Sequence, residues 1–230
     1  MPPIIVALDF EDSIQALQMV EQLGDAVSIY KVGLELFTAE GPDVVRELMV
    51  RHKEVFVDLK LYDIGETVRR ATAQVAALGA RYLTVHASAQ GMRAAIQGRG
   101  DSKLKILAVT VLTSFDNSDL EDLGYTGRSV PDLVEHLTRQ GMAAGVDGFI
   151  SSPIEVARVR AITGPGAILV TPGVRSAGAS RGDQKRVATP AEAIAAGASQ
   201  LVIGREITRS ADPRAAALRI LRDLQAARPA

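Results

Sequence analysis

VFVDL at residues 55–59 is the clearest of eight short aliphatic or β-branched runs that decide the fold. Runs of this kind are typical of strands buried on both faces of a parallel sheet. Between them lie Ala-, Leu-, Glu- and Arg-rich stretches with apolar residues at helical spacing, so strand and helix alternate along the chain. We predict strands at 4–8, 28–32, 55–59, 82–86, 105–112, 148–151, 167–171 and 200–204.

Eight such units in 230 residues predict an α/β fold, a (β/α)8 TIM barrel near the compact end of its size range. A doubly wound open sheet is the alternative. It is disfavoured because the sequence at 9–12 is DFED, where a dinucleotide-binding sheet has a G-x-G-x-x-G turn. No linker interrupts the pattern, so we expect one barrel domain over residues 1–230. We expect the longest irregular stretches at 114–128 and 173–188.

The composition limits the partners and cofactors that we expect. A net charge of −1 provides no general attraction for nucleic acid or an anionic membrane. The chain has no cysteine, and its three histidines (His52, His86 and His136) lack metal-ligand spacing, so we predict no metal. We interpret His86 as a hydrogen-bonded core or supporting residue rather than a general base. Because the first residues, MPPIIVALDF, have no basic segment, we also predict a cytoplasmic protein.

Charged residues lie in or directly after the carboxyl-terminal parts of the first three apolar runs, at the end of the barrel where catalytic groups project. They are Asp9, Lys31, Asp58, Lys60 and Asp63. Alternation along the third strand predicts that Asp58 and Lys60 share a face and form an ion pair. The alternatives are a helix cap for Asp9, a solvent-directed side chain for Lys31, and a purely structural role for the pair.

The loops after strands 7 and 8 have the composition of a phosphate site, which is their common role in this fold. Gly204 permits close backbone approach, and Arg205 supplies a guanidinium. The segment 173–188 is rich in Gly, Ser and Arg, as expected for a mobile lid, and its Arg175 and Gln184 could close over the same phosphate. The alternative for Arg205 is an exposed arginine at the start of a helix.

Seven motifs, taken together, resemble the orotidine 5′-monophosphate decarboxylase family of the bacterial type. They are ALD at 7–9, YKVG at 30–33, DLKLYDI at 58–64 with Thr67, TVLTS at 110–114, TPGVR at 171–175, DQKR at 183–186 and IGREIT at 203–208. Their order and spacing agree with the family. One departure is the turn at 63–67, which reads DIGET where many members read DIPNT.

The resemblance implies decarboxylation of orotidine 5′-monophosphate to UMP and CO2, the last step of de novo pyrimidine nucleotide synthesis, without a cofactor. It implies that Asp9 holds the pyrimidine-ribose part, that Lys31 contacts the ribose, and that Thr113 lies beside the base. The phosphate would be bound by Arg175, Gln184, Gly204 and Arg205.

The resemblance also implies a homodimer with shared sites. Lys31, Asp58 and Lys60 would form an alternating charge network, completed by Asp63 and Thr67 of the other subunit. Loss of CO2 leaves a carbanion at C6 that no ring carbonyl can delocalise. We expect the ammonium of Lys60 to stabilise this carbanion and then protonate it, with Asp58 holding the lysine in place.

Two other functions share parts of this pattern. The sugar-phosphate enzymes of the same superfamily, 3-keto-L-gulonate 6-phosphate decarboxylase and hexulose-phosphate synthase, use Mg²⁺ and place an acid where this chain has Lys31, a cation that would repel the metal. A catalytically silent barrel is possible on fold alone. It is disfavoured because two lysines and two aspartates in one pocket are costly to desolvate without a catalytic gain.

Overall fold

A computed structural model describes residues 3–176 and 188–226, and in these residues eight parallel strands close into a barrel in chain order. The strands are β1 (Ile4–Ala7), β2 (Ile29–Gly33), β3 (Glu54–Leu61), β4 (Tyr82–His86), β5 (Lys105–Val109), β6 (Gly148–Ile150), β7 (Ile168–Thr171) and β8 (Gln200–Ile203). The barrel closes where β1 pairs with β8. The predicted (β/α)8 TIM barrel is confirmed, and most strand ends fall within one residue of the prediction.

The helices of the described residues follow the strands along the chain, and the last two come after β8. They are α1 (Ser13–Leu23), α2 (Leu34–Glu40), α3 (Asp43–Val50), α4 (Gly65–Ala77), α5 (Ala89–Arg99), α6 (Asn117–Asp122), α7 (Val130–Ala144), α8 (Val156–Thr163), α9 (Pro190–Ala195), α10 (Arg205–Thr208) and α11 (Pro213–Ala226). In the described ranges no helix combines the length and the apolar character needed to cross a bilayer.

The prediction for 114–128 was wrong in part, because α6 lies within that stretch. The backbone N–H groups of Ser118 and Asp119 donate to the Asp116 side chain at 3.0 and 3.3 Å. The backbone N–H of Asp116 donates in turn to Asp119 Oδ2 at 2.7 Å. This reciprocal cap supplies partners for free N–H groups at the helix start. With Leu120 as its only buried residue, so short a helix shows no apolar period in the sequence.

Two apolar layers hold the barrel together. Phe56 and Tyr82 are fully buried inside it, and their rings meet edge to face with centroids 5.9 Å apart. The Tyr82 hydroxyl donates to Gln200 Oε1 at 2.7 Å, which satisfies both polar groups at the amino-terminal end of the strands. A larger cluster fills the space between the strands and the helices. The barrel interior is therefore closed by side chains at one end, and the polar residues collect at the other.

Candidate active site

A cavity of about 190 Å³ lies at the carboxyl end of the strands. Its polar lining includes Lys31, Asp58, Lys60 and Thr113, and Pro172 lies on its edge. The remaining lining is apolar. A small pocket of this kind, with a few convergent charges, is typical of a site for a small molecule.

Four charged side chains form a continuous chain across this end of the barrel. Lys31 Nζ lies 2.9 Å from Asp9 Oδ1 and 3.8 Å from Asp58 Oδ2, and Lys60 Nζ lies 2.9 Å from Asp58 Oδ1. The side chains of Lys31 and Asp58 are only 11% and 12% exposed, so each charge relies on its neighbours in place of water. The predicted ion pair between Asp58 and Lys60 is confirmed.

The reason given for that pair was incomplete, because β3 does not continue as a regular strand through Lys60. The pairing of β3 with β4 shifts between Val57 and Leu61, where four steps along β3 match two steps along β4. Within this irregularity Lys60 has φ of +49°, a left-handed conformation that is unfavourable for a residue with a Cβ. A strand that breaks its register beside an active site can redirect a side chain. The position of the Lys60 ammonium thus depends on this local distortion.

The sequence alternatives for Asp9 and Lys31 are wrong. The side chain that caps α1 is that of Asp12, whose Oδ1 accepts from the Gln15 N–H at 2.8 Å. The Lys31 side chain is only 11% exposed, and its ammonium is held by Asp9 and Asp58 instead of being directed to solvent. Gly33 makes this arrangement possible, because a Cβ there would lie 2.8 Å from Lys31 Nζ.

Two residues that sequence reasoning did not single out shape the charge chain. They are Gly33 and Thr84. The Thr84 Oγ1 donates to Asp58 Oδ1 at 2.8 Å and accepts from the Lys60 N–H at 2.9 Å. A detectable signal was present, since Thr84 is a lone polar residue inside the apolar run YLTVH. Gly33 was also visible in the sequence, as the glycine of the YKVG motif.

The loops that follow β7 and β8 lie side by side. The Ser176 N–H, directly after Arg175, donates to Glu206 Oε2 at 3.1 Å, and Glu206 directly follows Arg205. The Arg175 guanidinium donates to the Val174 carbonyl at 2.7 Å. Gly204 borders the charge chain, because a Cβ there would lie 3.9 Å from Asp9 Oδ2. Arg175 therefore lies near the start of α10. Arg205 is exposed and is the first residue of α10, as in the sequence alternative of an exposed arginine at a helix start. Gln184 lies outside the described residues.

The turn after β3 is largely exposed to solvent. Asp63 is exposed, and its Oδ1 accepts from the Ile64 N–H at 2.6 Å. Thr67 is exposed in the first turn of α4. Glu66 accepts hydrogen bonds from two arginines of α4, Arg69 and Arg70, and these bonds lower the pKa of Glu66 to about 2. The GE pair at 65–66, which departs from the family, therefore begins a regular helix.

His86 lines a second and larger cavity, of about 640 Å³, beside this turn. Its ring meets Tyr62 edge to face at 5.7 Å. Within the described part of the chain its ring makes no hydrogen bond that meets ordinary geometry, so the predicted hydrogen-bonded role is not found. Burial lowers the pKa of His86, the charge of Lys60 lowers it further, and Asp58 partly opposes this. The lowered pKa favours the neutral form of His86.

Comparison with known proteins gives consistent results. The family model described as orotidine 5′-phosphate decarboxylase / HUMPS family matches residues 2–220. A protein of Rhodopseudomonas palustris named orotidine 5′-phosphate decarboxylase is 55% identical over 98% of this chain and 94% of its own length. One from Caulobacter vibrioides with the same name is 49% identical, over 97% of each. The crystal structure of orotidine 5′-phosphate decarboxylase from Lactobacillus acidophilus superposes with a TM-score of 0.85 at 35% identity, covering 96% of this chain and 98% of that one.

Proposed function

The chain belongs to the orotidine 5′-phosphate decarboxylase / HUMPS family, and we propose that it converts orotidine 5′-monophosphate into UMP and CO2 in pyrimidine biosynthesis without a cofactor. Its relatives, similar over nearly their full length, carry the decarboxylase name. The observation that supports the proposal most strongly is the Asp9, Lys31, Asp58, Lys60 charge chain at the mouth of the barrel.

The proposed reaction needs a positive charge beside C6 of the pyrimidine ring. The bond between C6 and the carboxylate breaks, its electron pair remains on C6, and the carboxylate leaves as CO2. The Lys60 ammonium stabilises the developing charge without having to reorganise, since Asp58 already holds it at 2.9 Å. Lys60 then transfers a proton to C6, which gives UMP, and regains a proton from solvent.

Asp58 and Lys31 support this chemistry in different ways. Asp58 orients Lys60 and lies near the substrate carboxylate, where like charges raise the energy of the bound ground state. Lys31 limits the cost of burying Asp58, since its Nζ is 3.8 Å from Asp58 Oδ2. Asp9 holds Lys31 from the other side, and we assign it to the pyrimidine-ribose part of the substrate. Thr113 lines the same cavity, and we assign it to the base.

We assign the substrate phosphate to the adjoining loops after β7 and β8. Arg175 and Arg205 provide guanidinium groups, Gly204 allows close backbone approach, and Gln184 completes the set from outside the described residues. Phosphate contacts far from C6 supply binding energy that positions the ring against Lys60. The phosphate therefore contributes to the rate as well as to affinity.

We further propose a homodimer with shared sites, in which Asp63 and Thr67 act in the barrel of the second copy. Exposed apolar side chains support this. Tyr62, Leu123 and Tyr125 line the 640 Å³ cavity and are exposed, Tyr62 to 74%, and nearby in sequence Ile64 is 69% exposed. An exposed apolar rim of this kind is typical of a protein interface. Among the described residues, Asp63 makes no hydrogen bond or ion pair with the charge chain of its own barrel, as expected for a residue that serves the other subunit.

Complementation tests the shared site. Lys60→Ala and Asp63→Ala are each made alone and then co-expressed. If Asp63 acts across the interface, a mixed dimer contains one intact site, and random pairing restores about a quarter of the parental activity. If both residues act in one barrel, every site in the mixed dimer lacks one of them and no activity returns.

The Mg²⁺-dependent sugar-phosphate enzymes remain the alternative, because the matched family description includes HUMPS. Lys31 opposes this alternative, since its ammonium lies between Asp9 and Asp58, where a metal would need an acid. The direct experiment adds purified protein to orotidine 5′-monophosphate in buffer with EDTA and follows ultraviolet absorbance. We expect a rapid fall with UMP as product. No change from a folded protein would favour the Mg²⁺-dependent reaction.

A further inference from the structure

The side chain of Thr84 is fully buried, and its hydroxyl makes both of its hydrogen bonds with residues of the charge chain. It lies in the middle of β4, opposite Leu107 of β5. It accepts from the backbone N–H of Lys60 at 2.9 Å and donates to Asp58 Oδ1 at 2.8 Å. A hydroxyl has a single proton, so the bond accepted from Lys60 leaves that proton for Asp58.

These contacts close a ring around Lys60. Its backbone N–H bonds Thr84, Thr84 bonds Asp58, and Asp58 Oδ1 accepts from Lys60 Nζ at 2.9 Å. Both the backbone and the ammonium of the lysine are therefore fixed through the same two side chains. The ring includes the point where β3 loses its register with β4 and Lys60 takes φ of +49°.

The left-handed conformation of Lys60 needs support from its surroundings. A non-glycine residue in this region persists when neighbouring contacts over-determine it. The register shift removes the usual strand partner for the Lys60 N–H, and a buried N–H without a partner is costly. Thr84 supplies that partner, and its branched Cβ limits the rotation of the hydroxyl.

We propose that Thr84 is a positioning residue for decarboxylation, which holds the Lys60 ammonium at C6 by fixing both the Lys60 backbone and the Asp58 carboxylate. The inference rests on the proposed function. It predicts an effect on the chemical step rather than on nucleotide binding, because Thr84 lies behind Asp58 and does not line the 190 Å³ cavity.

The test compares Thr84→Val, which keeps the shape and removes the hydroxyl, with Thr84→Ser, which keeps the hydroxyl. Thr138→Val is the matched control, since Thr138 is also buried but donates to the Val134 carbonyl on α7 at 2.7 Å. For each variant kcat and KM for orotidine 5′-monophosphate are measured, together with the Kd for UMP and the thermal midpoint.

We expect Thr84→Val to lower kcat roughly 10- to 100-fold, the effect of losing a hydrogen bond to a charged group. The Kd for UMP should change by no more than about threefold, and Thr84→Ser should recover most of kcat, because its hydroxyl makes the same bonds. Thr138→Val should keep the parental kcat. This split between kcat and binding, with rescue by serine, would not follow from a merely structural role.

Other outcomes overturn the inference. Parental kcat in Thr84→Val, while Lys60→Ala is inactive in the same assay, would mean that Thr84 does not position the lysine. An equal loss in the valine and serine variants would assign the effect to packing rather than to the hydroxyl. Absence of turnover in the parent protein would contradict the proposed function itself, and the inference with it.

Discussion

Gly33→Ala adds a single methyl group at the point where the Lys31 ammonium is held. The new Cβ would lie 2.8 Å from Lys31 Nζ and 3.4 Å from Asp9 Oδ1. Since a comfortable carbon to nitrogen contact is about 3.4 Å or more, the ammonium must retreat by roughly 0.6 Å. That retreat disturbs its 2.9 Å bond to Asp9 and its 3.8 Å approach to Asp58.

The fold should tolerate this substitution. Gly33 has φ of −95° and ψ of −173°, which alanine adopts readily, and the atom that must move is the end of a flexible side chain. Alanine at such a position stabilises by about 0.4–1 kcal/mol through the unfolded state, which offsets the cost of the contact. We therefore expect the thermal midpoint to stay within about 2 °C of the parent.

Activity should respond much more strongly than stability. Catalytic groups need placement to within about 0.5 Å, and a displacement near 1 Å can cost about 100-fold. We expect kcat/KM to fall roughly 10- to 100-fold in the ultraviolet assay, which corresponds to about 1.4–2.7 kcal/mol. Gly166→Ala is the control, because its Cβ would meet nothing within 4 Å. Parental kcat/KM in Gly33→Ala would refute the view that the position of Lys31 matters, and loss of folding would refute the steric argument.

Three further substitutions test other parts of the structure. Arg205→Ala should weaken UMP binding roughly 10- to 100-fold in calorimetry, and unchanged affinity would contradict the phosphate assignment. Gly141→Ala should lower the free energy of unfolding by about 1–3 kcal/mol in urea, since its Cβ would overlap the buried Phe149 ring. An unchanged urea midpoint would mean that the core can rearrange around the added methyl group. The pKa of Glu66 lies at about 2 instead of 4.5, so its pairing stabilises above about pH 4.5 and is lost as the pH falls toward 2. Glu66→Gln should therefore lower the urea midpoint slightly at pH 7 and not near pH 2, and a difference that does not depend on pH would argue against the ion pair.

The barrel could be predicted from sequence because each strand is a short, largely apolar run and the connections carry helical periods. The charged residues at the strand ends were recognisable for a related reason, since parallel strands bring their carboxyl ends together. Asp9, Lys31, Asp58 and Lys60 therefore meet as expected. Regular periodicity was therefore enough to predict the barrel and the meeting of these four charged residues.

Local departures from periodicity could not be predicted in the same way. The residues around Lys60 fit strand alternation, and nothing in their order reveals a φ of +49° or a shifted register. Thr84 is visible in the sequence as a lone polar residue in its strand, but its partners on β3 appear only when β3 and β4 are adjacent. The short helix α6 depends on a reciprocal aspartate cap rather than on an apolar stripe.

Turnover by Lys60→Ala, compared with its affinity for UMP, tests the central claim that the Lys60 ammonium stabilises and protonates C6. The account predicts that kcat falls by at least about 1,000-fold, since both electrostatic stabilisation and proton transfer are lost. UMP should still bind, because the phosphate loops remain intact. Turnover within about tenfold of the parent, in a folded protein that binds UMP, would contradict the role assigned to Lys60.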